Sequence, residues 1–455
     1  MQPFWLDIPS NPVTGLSSPA ESHDRQRASL AREMALAAIA VGCVDRGERL
    51  DEALARVLAH NPLASASRPA VRDMAYETVR QLGLAKHLAE RLNARTPPPA
   101  LAALQWLGLV QLIAPHRHPA TVVDQLVQAA REAADTRAGA GFLNATLRRF
   151  LREQPTLFAH AQTDQVARHN YPAWWITRLQ HDHPAQWQAI LDAGNARPPF
   201  VIRVNRRRVT VSDYCLELAR RGMQGEPVGP QAVRVSPPCA VTELPGWGDG
   251  WVSVQDAAAQ WAAPLLAPSD GDRVLDACAA PGGKTGHLLE LAHCDLTALD
   301  LSPQRLARVS DNLNRLGLRA RLMQGDARDP SAWWDGQPFD RILVDAPCSA
   351  SGVVRRQPDV RWLRRRRDLA TLAVQQGQIL SALWPLLRPG GTLLYATCSI
   401  FRVEGDALIA SFMSRHPDAR PGSVPQGLPC GYLLPGSGSG VDQDGFFYGL
   451  IEKQP

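Results

Sequence analysis

The chain has 455 residues, 45% hydrophobic and 20% charged, with a net charge of +5: too long for one ordinary core, apolar enough to fill two to four, and not a candidate for wholesale disorder. So mild a basic balance permits a nucleic-acid partner without requiring one. The eight cysteines (43, 215, 239, 278, 294, 348, 398 and 430) form no C-x-x-C pair, the first fifteen residues hold no basic run and the longest apolar run is residues 34–44, so no metal centre, disulfide framework, signal peptide or membrane span is expected and a reduced, cytoplasmic protein fits best.

Residues 1–24 read as an extension. From 25 to 152, alanine and leucine recur at helical spacing (Ala28, Ala31, Ala35, Ala38; Leu54, Val57, Leu58; Leu101, Leu104, Leu107, Val110), predicting an all-α domain. Its breaks are expected at Asn61-Pro62, at 96–99 and at 115–119, where prolines interrupt the pattern. Arg148, with Arg149 and Arg152, makes a basic spot near its end. Residues 153–195 read as a helical connector in which Trp174, Trp175 and Trp187 pack. Within 196–250, a strand at 200–205, a helix at 211–221 and a strand at 232–235 predict a small βαβ-like α+β unit. Arg203, Arg206, Arg207 and Arg208 cluster on it, and a small sheet with a basic edge suits single-stranded RNA. From 251 to 455, short apolar strands (273–276, 296–300, 321–323, 341–345 and 392–396) alternate with helix-length segments. That is the pattern of a doubly wound parallel α/β sheet, whose ligands bind beyond the carboxyl ends of the strands.

Three of those strand ends carry a cofactor signature. Cys278-Ala279-Ala280-Pro281-Gly282-Gly283-Lys284-Thr285 follows the first, and glycine, lacking a Cβ, lets backbone approach a ligand closely. Asp300 ends the second, twenty-four residues beyond Asp276, where a carboxylate can accept both hydroxyls of a ribose; Ser302-Pro303 then starts a helix. Asp326 closes the third, placed for an adenine amino group. In this order they point to a nucleoside cofactor. The run 278–285 also resembles the phosphate loop G-x-x-x-x-G-K-T of nucleotide hydrolases, but Cys278 replaces the first glycine and such a loop has no use for Asp300.

Two further strand ends carry thiols, Cys348 in Asp345-Ala346-Pro347-Cys348-Ser349 and Cys398 in Thr397-Cys398-Ser399. Carbon 5 of cytosine is a poor nucleophile until a thiolate adds to carbon 6; it can then take a methyl group from S-adenosylmethionine. A nucleoside pocket beside paired thiols supplies both halves of that reaction. Amino-group methyltransferases of similar layout carry an aromatic residue where Cys348 stands, which disfavours N-methylation. Asp345 is expected to bond the cytosine N3/N4 edge. A single strand-end cysteine is commonly packing; two, each followed by serine, are less easily dismissed. A thiol of pKa about 8.5 is mostly protonated at neutral pH, so the site must take or loosen that proton. Arg355, Arg356, Arg361 and residues 364–367, between the thiol motifs, are expected to form a phosphate-gripping rim.

At these residues the chain resembles the bacterial ribosomal RNA cytosine-5 methyltransferase B family, also called Fmu or Sun, within the wider Sun-domain group. Residues 278–285, 345–354, Arg361-Trp362, 395–399 and Asp444-Gly445-Phe446-Phe447-Tyr448 carry the likeness, which spans about residues 25–453. Arg72-Asp73, Tyr76 and residues 141–149 resemble a NusB-type RNA-binding helical domain. The resemblance implies a NusB-like N-terminal domain, an RRM-like middle unit and a Rossmann-like class I methyltransferase domain. It implies S-adenosylmethionine held by residues 278–284, Asp300, Asp326 and Asp345; Cys398 as the nucleophile at carbon 6; and Cys348 assisting breakdown of the adduct. It implies a monomer acting on 16S ribosomal RNA or a small-subunit precursor, at cytidine 967. One departure is Glu404-Gly405-Asp406, where the family usually has Glu-Asn-Glu. The alternatives are the same chemistry on transfer RNA or another ribosomal site, and a non-catalytic, antitermination-like RNA-binding factor, against which the intact Cys348, Cys398 and Asp300 argue.

Overall fold

The computed structural model describes residues 19–64, 66–113, 117–436, 438 and 441–455. Most of the expected extension, residues 1–18, and positions 115 and 116 of one expected break lie outside them. The chain divides into two units, Met1–Ile176 with Gln357–Leu363, and Thr177–Arg356 with Arg364–Pro455.

The described residues of the first unit form helices and no strand, among them Pro19–Asp45, Leu50–His60, Ser67–Arg80, Leu82–Leu92, Pro99–Ile113, Pro119–Glu132, Ala140–Ala161 and Gln165–His169. Pro99 and Pro119 begin their helices, where a missing N–H costs nothing. The helix Pro99–Ile113 is buried on almost every side from Leu101 to Leu112, as expected of a segment apolar all round. Its two buried glutamines are answered: Gln105 and Asn93 exchange amide hydrogen bonds of 2.9 and 2.8 Å, and Gln111 accepts from the Arg117 guanidinium at 3.2 Å. Gln357–Leu363 is part of this unit. Asp359 accepts the Leu50 N–H at 3.0 Å, satisfying a first-turn donor that Arg49 leaves uncapped. Trp362 Nε1 donates to the Val79 carbonyl at 2.8 Å.

The second unit holds two sheets. In the smaller, β1 (Val201–Val204), β2 (Gln224–Pro227), β3 (Ala232–Ser236) and β4 (Val252–Val254) lie in the order β2-β3-β1-β4, all pairs antiparallel. Ile202, Val204, Val233 and Val235 fill its core together with Tyr214 and Leu218 of the helix Val211–Arg220. The expected βαβ order is corrected here, because β2 reverses the chain so that β3 runs against β1.

The larger sheet contains β5 (Arg273–Ala277), β6 (Asp295–Asp300), β7 (Arg321–Gln324), β8 (Phe339–Asp345), β9 (Leu387–Thr397), β10 (Ala419–Pro421), β11 (Gly431–Leu433) and β12 (Phe446–Lys453). Its order is β10-β12-β9-β8-β5-β6-β7, with β11 also on β12. Strands β5 to β9 are parallel and coincide with the five expected strands; β12 is antiparallel to β9. After β5 the chain winds outward through β6 and β7, then returns to β8 on the other side. The carboxyl ends of β5 and β8 therefore open a crevice at the point where the winding reverses. Among the described residues no helix is long and apolar enough to cross a membrane, and no cluster of three metal-binding side chains occurs.

Candidate active site

The turn after β5 is shaped by its residue types. Cys278 has φ 63°, a left-handed conformation uncommon outside glycine and characteristic of strained functional turns. Gly282, at φ +93°, faces the helix Pro303–Leu316 so closely that a Cβ would stand 3.0 Å from Val309 Cγ1. At Gly283 a Cβ would meet only the Gln255 amide, at 3.6 Å, so the backbone there is open to a ligand. Asp300 ties the turn to the end of β6: one oxygen accepts the Ala280 N–H and the other the Ser302 N–H, each at 3.1 Å. Behind it Asp276 is fully buried. One oxygen accepts the Thr285 hydroxyl at 2.6 Å; the other has no partner among the described residues. Burial pushes the Asp276 carboxyl up to about 7, against the Thr285 hydrogen bond and with help from Asp345. Burial, with Asp345, Asp300 and Asp276 nearby, pushes the Cys278 thiol up to about 12, so it stays protonated. Both Asp326 oxygens are engaged by Arg328, at 2.6–3.1 Å, which holds that carboxyl below the usual range.

The thiols meet. In the parallel pair β8 and β9, Asp345 lies opposite Ala396, and the chain continues from each strand end into a cysteine. The sulfurs of Cys348 and Cys398 are 3.4 Å apart, both partly exposed. Gly352 N–H bonds the Cys398 carbonyl at 2.9 Å; Arg364 donates to the carbonyls of Ser349 and Cys348 at 3.1 and 3.2 Å. The hydrogen bond with Cys398, followed by burial, pushes the Cys348 thiol well above its ordinary value. Lys284 Nζ lies 2.6 Å from Asp345 and 5.3 Å from the centre of the Phe446 ring. Burial works against its charge, but Asp345, with Cys398 adding, outweighs it and the Lys284 pKa lies above the ordinary value.

Several residues here were missed by sequence reasoning. Glu404, noted only as part of a departure, is fully buried; its carboxylate accepts the Ser349 N–H at 2.8 Å, the Ser399 hydroxyl at 2.6 Å and the Gln376 amide at 3.0 Å. The serine after each cysteine was the visible signal.

Three of the expected RNA-contacting arginines are corrected by burial. Arg203 is fully buried and grips Glu290 with bonds of 2.9 and 2.7 Å. Arg355 pairs with Asp442 and Asp444 at 2.5 and 2.6 Å. Arg361, inside the helical unit, lies 3.9 Å from the Tyr171 ring centre, and burial lowers it to about 10. Each is desolvated and paired within the fold, where no phosphate can reach. Arg356 is partly exposed and bonds Asp256 and Asp444. Arg148, Arg206, Arg207 and Arg208 are exposed, as are residues 365–367; Arg206 and Arg207 also donate to the Leu291 and Glu290 carbonyls.

Comparison with known proteins agrees along the chain. The family model for 16S rRNA methyltransferase RsmB/F matches residues 263–451. The RsmF/B-like ferredoxin-like domain matches 171–242 and the NusB family 29–152. The ribosomal RNA small subunit methyltransferase B of Salmonella paratyphi C is 43% identical over 424 residues, 90% of this chain and 96% of that one. The crystal structure of PH0851 superposes with a TM-score of 0.77 at 24% identity, over 93% of this chain and 99% of that one. That of NSun6 from Pyrococcus horikoshii with SFG gives 0.56 at 20%, over 62% and 98%; both likenesses are of fold. With a relative so similar over nearly its full length, and a family model over the very strands that carry the thiols, the chain belongs to the 16S rRNA methyltransferase RsmB/F family.

Proposed function

We propose that this protein transfers a methyl group from S-adenosylmethionine to carbon 5 of one cytidine in 16S ribosomal RNA, through a bond between Cys398 and carbon 6. The observation that carries this reading is the 3.4 Å approach of Cys348 and Cys398 beside the glycine turn. A nucleoside-bearing donor fits that turn: the backbone at Gly283 is open, Asp300 stands at the strand end, and one buried Asp276 oxygen lacks a partner. Residues 278–284, Asp300, Asp326 and Asp345 would hold it. Bound there, S-adenosylmethionine supplies an electrophilic methyl group.

Cys398, as thiolate, adds to carbon 6 of the cytosine, and the ring electrons move to carbon 5. Asp345 holds the N3/N4 edge as that charge develops, with Lys284 fixing the carboxylate. After methylation at carbon 5, a base removes the proton from that carbon and the carbon–sulfur bond breaks, returning the thiolate. Cys348 keeps its proton, so it serves the Cys398 sulfur as a hydrogen-bonding neighbour placed to assist this elimination. Exposed Arg148, Arg206, Arg207 and Arg208 offer phosphate contacts. We place the reaction in the cytoplasm, performed by a monomer on free RNA or a small-subunit precursor.

The test is incubation with labelled S-adenosylmethionine and unmodified 16S RNA, followed by nucleoside analysis. 5-Methylcytidine is expected, abolished by Cys398→Ala, and Cys348→Ala should accumulate a covalent protein–RNA adduct. Full turnover by Cys398→Ala would overturn the mechanism; label found only in transfer RNA would move the substrate.

A further inference from the structure

We propose that Glu404 is a positioning residue that sets the separation of the two thiols. It lies in the 3-10 turn Arg402–Glu404 beyond Cys398 and touches neither sulfur. Its carboxylate takes one donor from each thiol loop: the N–H of Ser349, next to Cys348, and the hydroxyl of Ser399, next to Cys398. The third donor, Gln376, also bonds the carbonyl of Pro347, the residue before Cys348. All three donors are neutral. A buried carboxylate without a cation is costly to keep unless several hydrogen bonds hold it, and these come from the segments whose spacing matters.

The rest of the network points the same way. Ser399 Oγ lies 3.2 Å from Ser349 Oγ and 3.0 Å from Ser351 Oγ, and Ser351 Oγ accepts the Ile400 N–H at 2.9 Å. The Tyr395 hydroxyl anchors the Glu404 carbonyl at 2.8 Å. A carboxylate only accepts, so it orders the hydroxyl chain in one direction. Without it the two loops are joined by fewer bonds and the thiols are free to part.

The inference rests on the covalent reading above, so its test has a readout that does not need turnover. Oxidised glutathione converts the thiol pair to a disulfide, releasing two molecules of reduced glutathione; the equilibrium position, read by mass spectrometry of the Cys348–Cys398 peptide, measures the effective concentration of one thiol at the other. Glu404→Ala is expected to lower it about tenfold and to slow single-turnover methylation about 100-fold, as a misplacement of about 1 Å can, leaving S-adenosylmethionine affinity within about twofold. Glu404→Gln, which keeps an acceptor for Ser349 and can donate to Ser399, should recover most of both. Glutathione equilibrium and rate both unchanged in Glu404→Ala would overturn the proposal, as would Glu404→Gln failing like alanine, which would assign the effect to charge. Where Glu404→Ala does not fold, Ser399→Ala tests one arm alone and should lower the effective concentration; an unchanged value would overturn the proposal. Absence of adduct in Cys348→Ala would refute the covalent mechanism while leaving the glutathione measurement to judge Glu404.

Discussion

Arg203→Met removes a guanidinium that bonds Glu290 through two nitrogens and the Gly283 carbonyl at 2.8 Å. Glu290 is itself fully buried, so the variant leaves a carboxylate out of water without the cation that bonds it. Breaking one side of such a pair costs about 3–5 kcal/mol. For a unit of this size, at roughly 2–3 °C per kcal/mol, the melting temperature of the catalytic unit should fall by about 6–15 °C. Arg203→Met with Glu290→Leu replaces the pair by apolar side chains and should return to within about 1–2 kcal/mol of the parent. The difference is a coupling energy of about 2 kcal/mol or more in a double-mutant cycle. Thermal unfolding followed by tryptophan fluorescence reads all four proteins. RNA affinity measured across salt should keep its slope in the double variant, because no phosphate contact has been lost. A single variant within about 1 kcal/mol of the parent, with a salt slope lowered by about one, would refute the reasoning and return Arg203 to the RNA surface.

Two other outcomes follow from the geometry. Asp276 titrates at about 7 in the folded protein against 3.8 ordinarily, so between those values the native state binds a proton that the unfolded chain has released. Its contribution to stability is complete below pH 3.8 and is lost as pH rises through about 7. Asp276→Asn, always neutral, should gain on the parent by up to about 4 kcal/mol at pH 8 and by little near pH 4; urea midpoints that shift equally at both would contradict this. Arg206→Ala with Arg207→Ala should cost about 0.3–1 kcal/mol each as donors at the end of the helix Gly283–Leu291, and should reduce the salt slope of RNA binding by about one per arginine. An unchanged slope would make them helix caps alone.

The sequence revealed those parts of the fold whose physics is local. Strands β5 to β9 are short apolar runs, and in a parallel sheet their ends gather on one side, which is why Asp300, Cys348 and Cys398 stood out as candidate site residues. Strand β2, Gln-Gly-Glu-Pro, and β10, Ala-Arg-Pro, have no alternation to read; they are strands because β3 and β12 offer them edges. The fate of the arginines was not legible, since charge says nothing of facing. Arg203 meets Glu290 across 87 positions and Arg355 meets Asp444 across 89. Glu404 looked like an ordinary helix-start acid, and only the adjacency of β8 and β9 brings it to Ser349.

The seven residues Gln357–Leu363 give the protein an unusual genetic constraint. The chain leaves the catalytic unit after Arg356, completes the helical unit through Asp359, Arg361 and Trp362, and returns at Arg364, whose side chain holds the Cys348 carbonyl. A clean truncation near residue 176 would therefore strand a guanidinium and an indole, both shaped for a missing host, thirteen and fourteen residues beyond Cys348. Recombination by joining whole modules end to end cannot exchange the helical unit without also editing a stretch inside the catalytic reading frame. The two units are expected to be inherited, and best engineered, as a matched pair.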